Sequence, residues 1–283
     1  VDAELKKIKK FLTNKKKIII YLQFSYAAFR SNDEWMQKAA DFKLVNLLNV
    51  NKIFKANLII PFASFVYFSN SENFRLNEYM NNVETTSNYL KNNNVYHCIL
   101  NPDFDEINIK ELLNDKSKRL DITKNSINFW DNKFKNIKPK NEINEIHEIS
   151  KDIKKSFLFR IKKENSLFLL FFIKFFIFKY FFGDVVIHLK DTNETYSLNF
   201  FKIIKINNVL KSKIDIEMLS RRLFFLLKYP YGIDTISSNG CLFENKKNSF
   251  EKMIRAIGFV SLNQTNNGIT MKSIFNKNII NKI

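Results

Sequence analysis

Residues 18–29 read IIIYLQFSYAAF. The opening five, Ile18 to Leu22, are apolar without a break and rich in β-branched side chains. A strand with one wet face would alternate apolar and polar residues. An unbroken run fits a strand covered on both faces, as in a parallel sheet. A turn at Arg30-Ser31-Asn32 follows, and Ser31 with Glu34 three residues on makes a capping-box pattern. Met36, Ala40, Leu44, Leu47 and Leu48 then recur at helical spacing to about Val50. Leu58-Ile59-Ile60 reads as a second buried strand stopped by Pro61, and Val83 to Leu90 as a helix. Val95 to Leu100 reads as a third strand, closed by Asn101-Pro102-Asp103. Strand, helix, strand, helix, strand in about 90 residues predicts an α/β domain with right-handed crossovers.

From Asp103 to Asn165 the chain is polar, charged and helix-leaning, with an exposed loop expected over Lys135 to Asn144. After Gly183 the pattern changes. Val185 to Leu189 and Tyr196 to Phe200 predict short strands around the turn Asp191-Thr192-Asn193-Glu194. Ile214 to Met218 predicts another strand. Ser220 is placed to cap a helix running to Pro230. Ile236 to Phe243 reads as a strand containing Gly240, Asp234-Thr235 as a turn, and Ser249 to Ile257 as a helix. The expected organisation is an α/β domain over 1–110, a helical connector over 111–182 and a smaller α+β domain over 183–283 with a mainly antiparallel sheet.

The composition supports a core and removes several classes. Of 283 residues 45% are apolar, which argues against long disorder. Five Gly and four Pro exclude a collagen-like chain and leave little for Gly-rich phosphate loops. Lys and Arg number 46 against 28 Asp and Glu, a net charge of +18, yet only 7 of the 46 are Arg. Phosphate recognition leans on Arg forks and interleaved aromatics. A Lys-rich solvated surface, an anionic-surface binder and a nucleic-acid binder are the three readings, and the expectation is no specific nucleic acid. Cys98 and Cys241 are too few for a disulfide scaffold, so a reducing, cytoplasmic setting is expected. Val1 to Lys17 has no apolar signal core, and a first residue other than Met suggests a processed, trimmed or partial product. Leu167 to Phe182, LFLLFFIKFFIFKYFF, is interrupted by Lys174 and Lys179 and is short for a span. It reads as a buried or docking helix whose lysines reach outward, or as a membrane-surface helix making peripheral contact.

No G-x-G-x-x-G, G-x-x-x-x-G-K-S/T, G-x-S-x-G or C-x-x-C occurs. His97, His147 and His188 lie far apart, so no metal site follows from local spacing. His97 and His188 read as strand histidines and Cys98 as a small buried apolar residue. Asp103-Phe104-Asp105 reads as a polar loop or a hard-cation site. Two segments stand out: Gln23-Phe24-Ser25-Tyr26-Ala27-Ala28-Phe29, and Pro61 to Ser69 followed by Glu72, Asn73 and Asn77. Each follows a predicted parallel strand at its carboxyl end, where open α/β sheets bind ligands. Gln23, Ser25, Tyr26, Ser64, Tyr67 and Asn73 are the candidate substrate-binding residues, offering uncharged donors and acceptors. Packing of loops with satisfied hydroxyls is the alternative.

QFSYAAF followed by IIPFASFVYFSNSENFRLNE resembles the later half of metallo-β-lactamase-fold metal-dependent hydrolases, a group similar to the CMP-N-acetylneuraminate hydroxylases. YPYGIDTISSNGCLFE, Tyr229 to Glu244, resembles that family's C-terminal pattern, and the region has the rhythm of a sterol-carrier-like α+β domain. The resemblance runs from about Ile18 to Phe259. It implies part of an αββα fold, a small-molecule substrate, and a complete family member that holds zinc or iron through an H-x-H-x-D-H motif. That motif is absent here, and Asn70 stands where members often have a histidine. The resemblance therefore implies a truncated or degenerate chain that supplies one wall of a substrate pocket, carries no cofactor of its own and performs no catalysis alone. A non-catalytic protein binding an apolar ligand or a protein partner remains the other reading.

Overall fold

The apolar run at Ile18 forms the expected strand. The structure, a computed structural model, describes residues 2–12, 17–26, 28–29, 32–101, 107–140, 145–173, 175 and 183–257. It is a mixed α/β protein whose described residues divide into two units. The first takes in those of Val1–Ala27, Asp33–Ser69 and Phe74–Lys140, and the second those of Ala28–Asn32, Asn70–Asn73 and Asn141–Ile283.

In the first unit, α1 (Asp2–Phe11) precedes β1 (Ile19–Gln23), α2 (Asp33–Phe54) and β2 (Leu58–Phe62). The strands pair in parallel, with Ile19 opposite Leu58 and Gln23 opposite Phe62. After a 3₁₀ turn at Phe74–Tyr79 come α3 (Val83–Asn92), α4 (Ile109–Asn114) and α5 (Lys116–Lys135). The strand alternation sorts the core. Ile59 points to one side of the sheet, among Leu44, Leu47 and Leu90, while Leu58 and Ile60 point to the other, among Cys98, Leu112 and Ile122. Both faces of β2 are therefore covered, which is why its sequence shows no polar alternation; β1 departs from the expectation, being half-buried with Tyr21 49% exposed. On α2, Met36, Ala40, Leu44, Leu47, Val50 and Phe54 make one buried stripe.

Two expectations about this unit need correction. Pro61 does not stop the strand, which continues through Phe62. Ile59 bonds through its own N–H and C=O to Tyr96 and Cys98, away from β1. Pro61, two residues on, faces the same way, so its missing N–H removes no bond to β1. The stretch Val95–Leu100 makes a single parallel bridge, Ile59 with His97, and no full strand. Arg30, Ser31, Asn141 to Asn144 and the Asp103-Phe104-Asp105 loop lie outside the described residues.

In the second unit, α6 (Lys151–Glu164) and α7 (Leu167–Phe172) precede β3 (Val185–Leu189), β4 (Glu194–Leu198), β5 (Ile203–Ile206) and β6 (Ile216–Met218). Then come α8 (Ser220–Lys228), α9 (Gly232–Asn239), β7 (Phe243–Glu244) and α10 (Ser249–Ile257). The sheet order is β5-β4-β3-β6-β7, antiparallel except for the parallel pair β3 and β6. Buried Asp215 accepts from the amide of Val186 and pairs with Lys246 (3.1 Å) and Lys252 (2.5 Å), so its charge is compensated on several sides.

The expected strand Ile236–Phe243 is instead α9 followed by a two-residue strand, and Asp234-Thr235 lies inside the helix. Ile233 and Ile236 bury one helical face. Gly240 ends the helix at φ 62°, the left-handed conformation glycine adopts readily. At Gly232 an added Cβ would lie 2.6 Å from the Leu226 Cα, so only glycine lets α9 start this close to α8. Ser220 is the first residue of α8 and not its cap. Its N–H and hydroxyl both donate to the Asp191 carboxylate, so a distant turn does the capping.

Candidate functional site

The parallel register brings the two distinctive loops out side by side at the carboxyl ends of β1 and β2. Ala63, with φ 55° in the left-handed region, turns the chain directly after β2. Ser64 Oγ then accepts from the Phe24 amide (3.2 Å) and donates to the Ser25 carbonyl (3.2 Å). Ser25 Oγ accepts from the Asn81 amide at 2.9 Å, and the Asn81 side chain donates to the carbonyls of Phe24 (2.8 Å) and Ala40 (2.7 Å). Ser25, Ser64 and Asn81 are buried. Their hydrogen bonds stitch loop to loop and to α2.

Asn77 serves the same end. It accepts from the Phe68 amide (2.8 Å) and donates to the carbonyls of Phe68 (2.8 Å) and Phe74 (2.9 Å), fixing the loop between them. Asn82 caps α3 by accepting from the Thr85 amide.

Beside these loops is a cleft of about 630 Å³, within the range that holds a small organic ligand. Four rings stack in series along it. Phe65 lies on Trp130 (centroids 4.9 Å apart, planes at 11°), Trp130 on Phe134 (5.2 Å, 24°) and Phe134 on Tyr67 (4.5 Å, 13°). Trp130 and Phe134 are four apart on α5, so one helical face carries both. Lys133 Nζ sits 5.8 Å from the Trp130 ring centre. The Trp130 Nε1 donor is buried without a hydrogen-bond partner among the described residues. The α5 side of the cleft also carries exposed Asn128, Asp131, Asn132 and Lys135, spaced as a helical stripe.

Of the six residues proposed from sequence, Ser64 and Tyr67 line the cleft, and Ser25 is bonded directly to Ser64. Gln23 and Tyr26 are not part of the lining. Gln23 is exposed and accepts from Lys43, and Tyr26 packs edge-on against Trp35 beneath the same lysine. Asn73 belongs to the second unit, where it accepts from the Asn70 amide and donates to the Asn239 carbonyl (2.6 Å). The α5 residues went unsuggested because their stretch reads as generic charged helix. One of only two tryptophans, four residues before a Phe and amid Asn128, Asp131 and Asn132, was the available signal.

Several titratable groups of the described residues are held by burial or by hydrogen bonds. Burial pushes the Cys98 thiol up to about 11, keeping it protonated. His97 is lowered by burial, and its ring nitrogens contact Ser87 Oγ (3.0 Å) and the Val95 carbonyl (2.9 Å). In the second unit His188 contacts Thr195 Oγ1 at 3.1 Å, and His147 stacks on Phe224. Among the described residues no three His, Cys, Asp or Glu side chains gather closely enough to hold a metal ion.

Comparison of the chain with protein-family models, with curated proteins and with solved structures finds no match.

Proposed function

We propose that the first unit holds a small organic molecule in the cleft beside the β1 and β2 loops, as the ligand-holding wall of a site like that of the metallo-β-lactamase-fold hydrolases and oxygenases its motifs resemble. One observation carries the reading: Ser64 ties the two motif loops together at the mouth of parallel strands, next to a preformed aromatic cleft. The loop hydroxyls and amides are occupied by structural bonds, so they shape the site and do not recognise the ligand. Recognition falls to the ring shelf and the polar stripe of α5. Such a surface suits a flat apolar face with a polar edge. The indole N–H of Trp130, without a partner among the described residues, can donate to an acceptor on a ligand that reaches it. The same resemblance makes the α+β region from residue 183 onward a sterol-carrier-like domain. The reading assigns binding to this chain and no bond-breaking step.

The test is fluorescence titration of a Trp35→Phe background, in which Trp130 reports alone, with indole-free bicyclic heteroaromatics such as quinoline and purine. Saturable quenching is expected, weakened about tenfold by Asn132→Ala or Tyr67→Ala. Quenching that never saturates, or that ignores both substitutions, rejects the cleft as a binding site.

A further inference from the structure

The Phe-rich segment shows two different faces. Leu169, Leu170 and Ile173 are buried, whereas Leu167 is 65% exposed, Phe168 67% and Phe171 59%. Phe175 is exposed as well, its ring 4.4 Å from that of Phe171. Positions 168, 171, 172 and 175 follow helical spacing and all are exposed, so a second apolar stripe runs opposite the one that packs inward. A helix wholly inside a core would not leave these rings out, and a contiguous apolar patch of this kind marks an interaction surface.

The preceding helix supplies charge. Helix α6 carries six basic residues against two acidic ones. On its outward side Phe159, 65% exposed, has exposed Lys155 four residues before it and exposed Lys162 and Lys163 three and four after. Only Asn165 and Ser166 separate the helices, so Lys163 and Phe168 are at most about 18 Å apart along the chain. Exposed Phe and Leu rimmed by lysine is a membrane-interface composition: rings enter the acyl boundary while lysine stems reach the headgroups. Protein interfaces differ, favouring Tyr, Trp and Arg and depleting Lys. Among the described residues no helix is long and apolar enough to cross a membrane.

We infer that α6 and α7 form a docking face for an anionic phospholipid surface, with Phe159, Leu167, Phe168 and Phe171 inserting and Lys155, Lys162 and Lys163 binding headgroups. The complete chain should co-sediment with vesicles containing one-third phosphatidylserine and far less with pure phosphatidylcholine. Phe168→Ser with Phe171→Ser should lower partitioning at least about tenfold, and Lys162→Gln with Lys163→Gln about thirtyfold, with unchanged melting curves. The lysine pair alone keeps the test decisive if the phenylalanine pair misfolds. Failure of the native chain to pellet with anionic vesicles at low salt overturns the inference. Undiminished pelleting of a folded variant overturns it too, as does self-association that vanishes in the phenylalanine pair without any vesicle binding.

Discussion

Two aromatic regions of this chain have similar composition and opposite architecture. In the first unit, Phe65, Trp130, Phe134 and Tyr67 cover one another face to face beside loops whose polar groups are already bonded. On α7, Phe168 and Phe171 present their rings to solvent next to a lysine-rich helix. The contrast separates two uses of apolar surface. Rings locked by neighbours and by a hydrogen-bonded frame make a shaped cleft with little entropy to lose on binding. Exposed rings beside lysines make a broad, unshaped face suited to a fluid surface.

Substitutions should pull the two regions apart. The largest effect is expected from Trp130→Ala, which removes the middle of the stack and should lower stability by about 3 kcal/mol, read as a shift in urea midpoint at constant slope. A neutral result would make the stack decorative. Asn81→Ala deletes two buried bonds that hold the β1 loop to α2 and should cost about 2 kcal/mol. It should also weaken fragment binding, since the cleft rests on that loop.

His97 adds a pH signature to the first region. Burial lowers its pKa below the ordinary 6.5. As pH falls below that value the unfolded chain takes the proton first, so stability declines until the lowered folded value is passed. Well above the ordinary 6.5 the group is neutral in both states and adds no slope. His97→Asn should remove this acid-side loss in urea melts at graded pH. The smallest effect belongs to the second region: Phe171→Ala should change stability by less than about 0.5 kcal/mol. A large loss there would show the ring to be core.

Much of the scaffold was legible because short-range signals agreed with tertiary ones. The apolar runs at Ile18 and Leu58 marked a parallel strand pair, and Met36 to Val50 marked α2, although only the second strand is buried: β1 is half-buried and its Tyr21 is 49% exposed. Where the reading failed, long-range geometry overrode local letters. Ile233 and Ile236 favour a strand by type, but the close approach at Gly232 and the left-handed Gly240 make a helix there. Asp191 caps α8 from 29 residues away, which spacing rules do not reach. At the candidate site, Ser25 and Ser64 were found by position on strand ends, yet their hydroxyls are spent on loop closure. The α5 contribution was hidden because Trp130 meets Phe65, and Phe134 meets Tyr67, only after folding.

The most direct test of the cleft is an amide chemical-shift titration of the intact chain with quinoline and purine. The account predicts saturable shifts at Asn128, Asp131, Asn132 and Lys135 and at the Trp130 indole. Shifts confined to Leu167 through Phe175, or none that saturate, would contradict it.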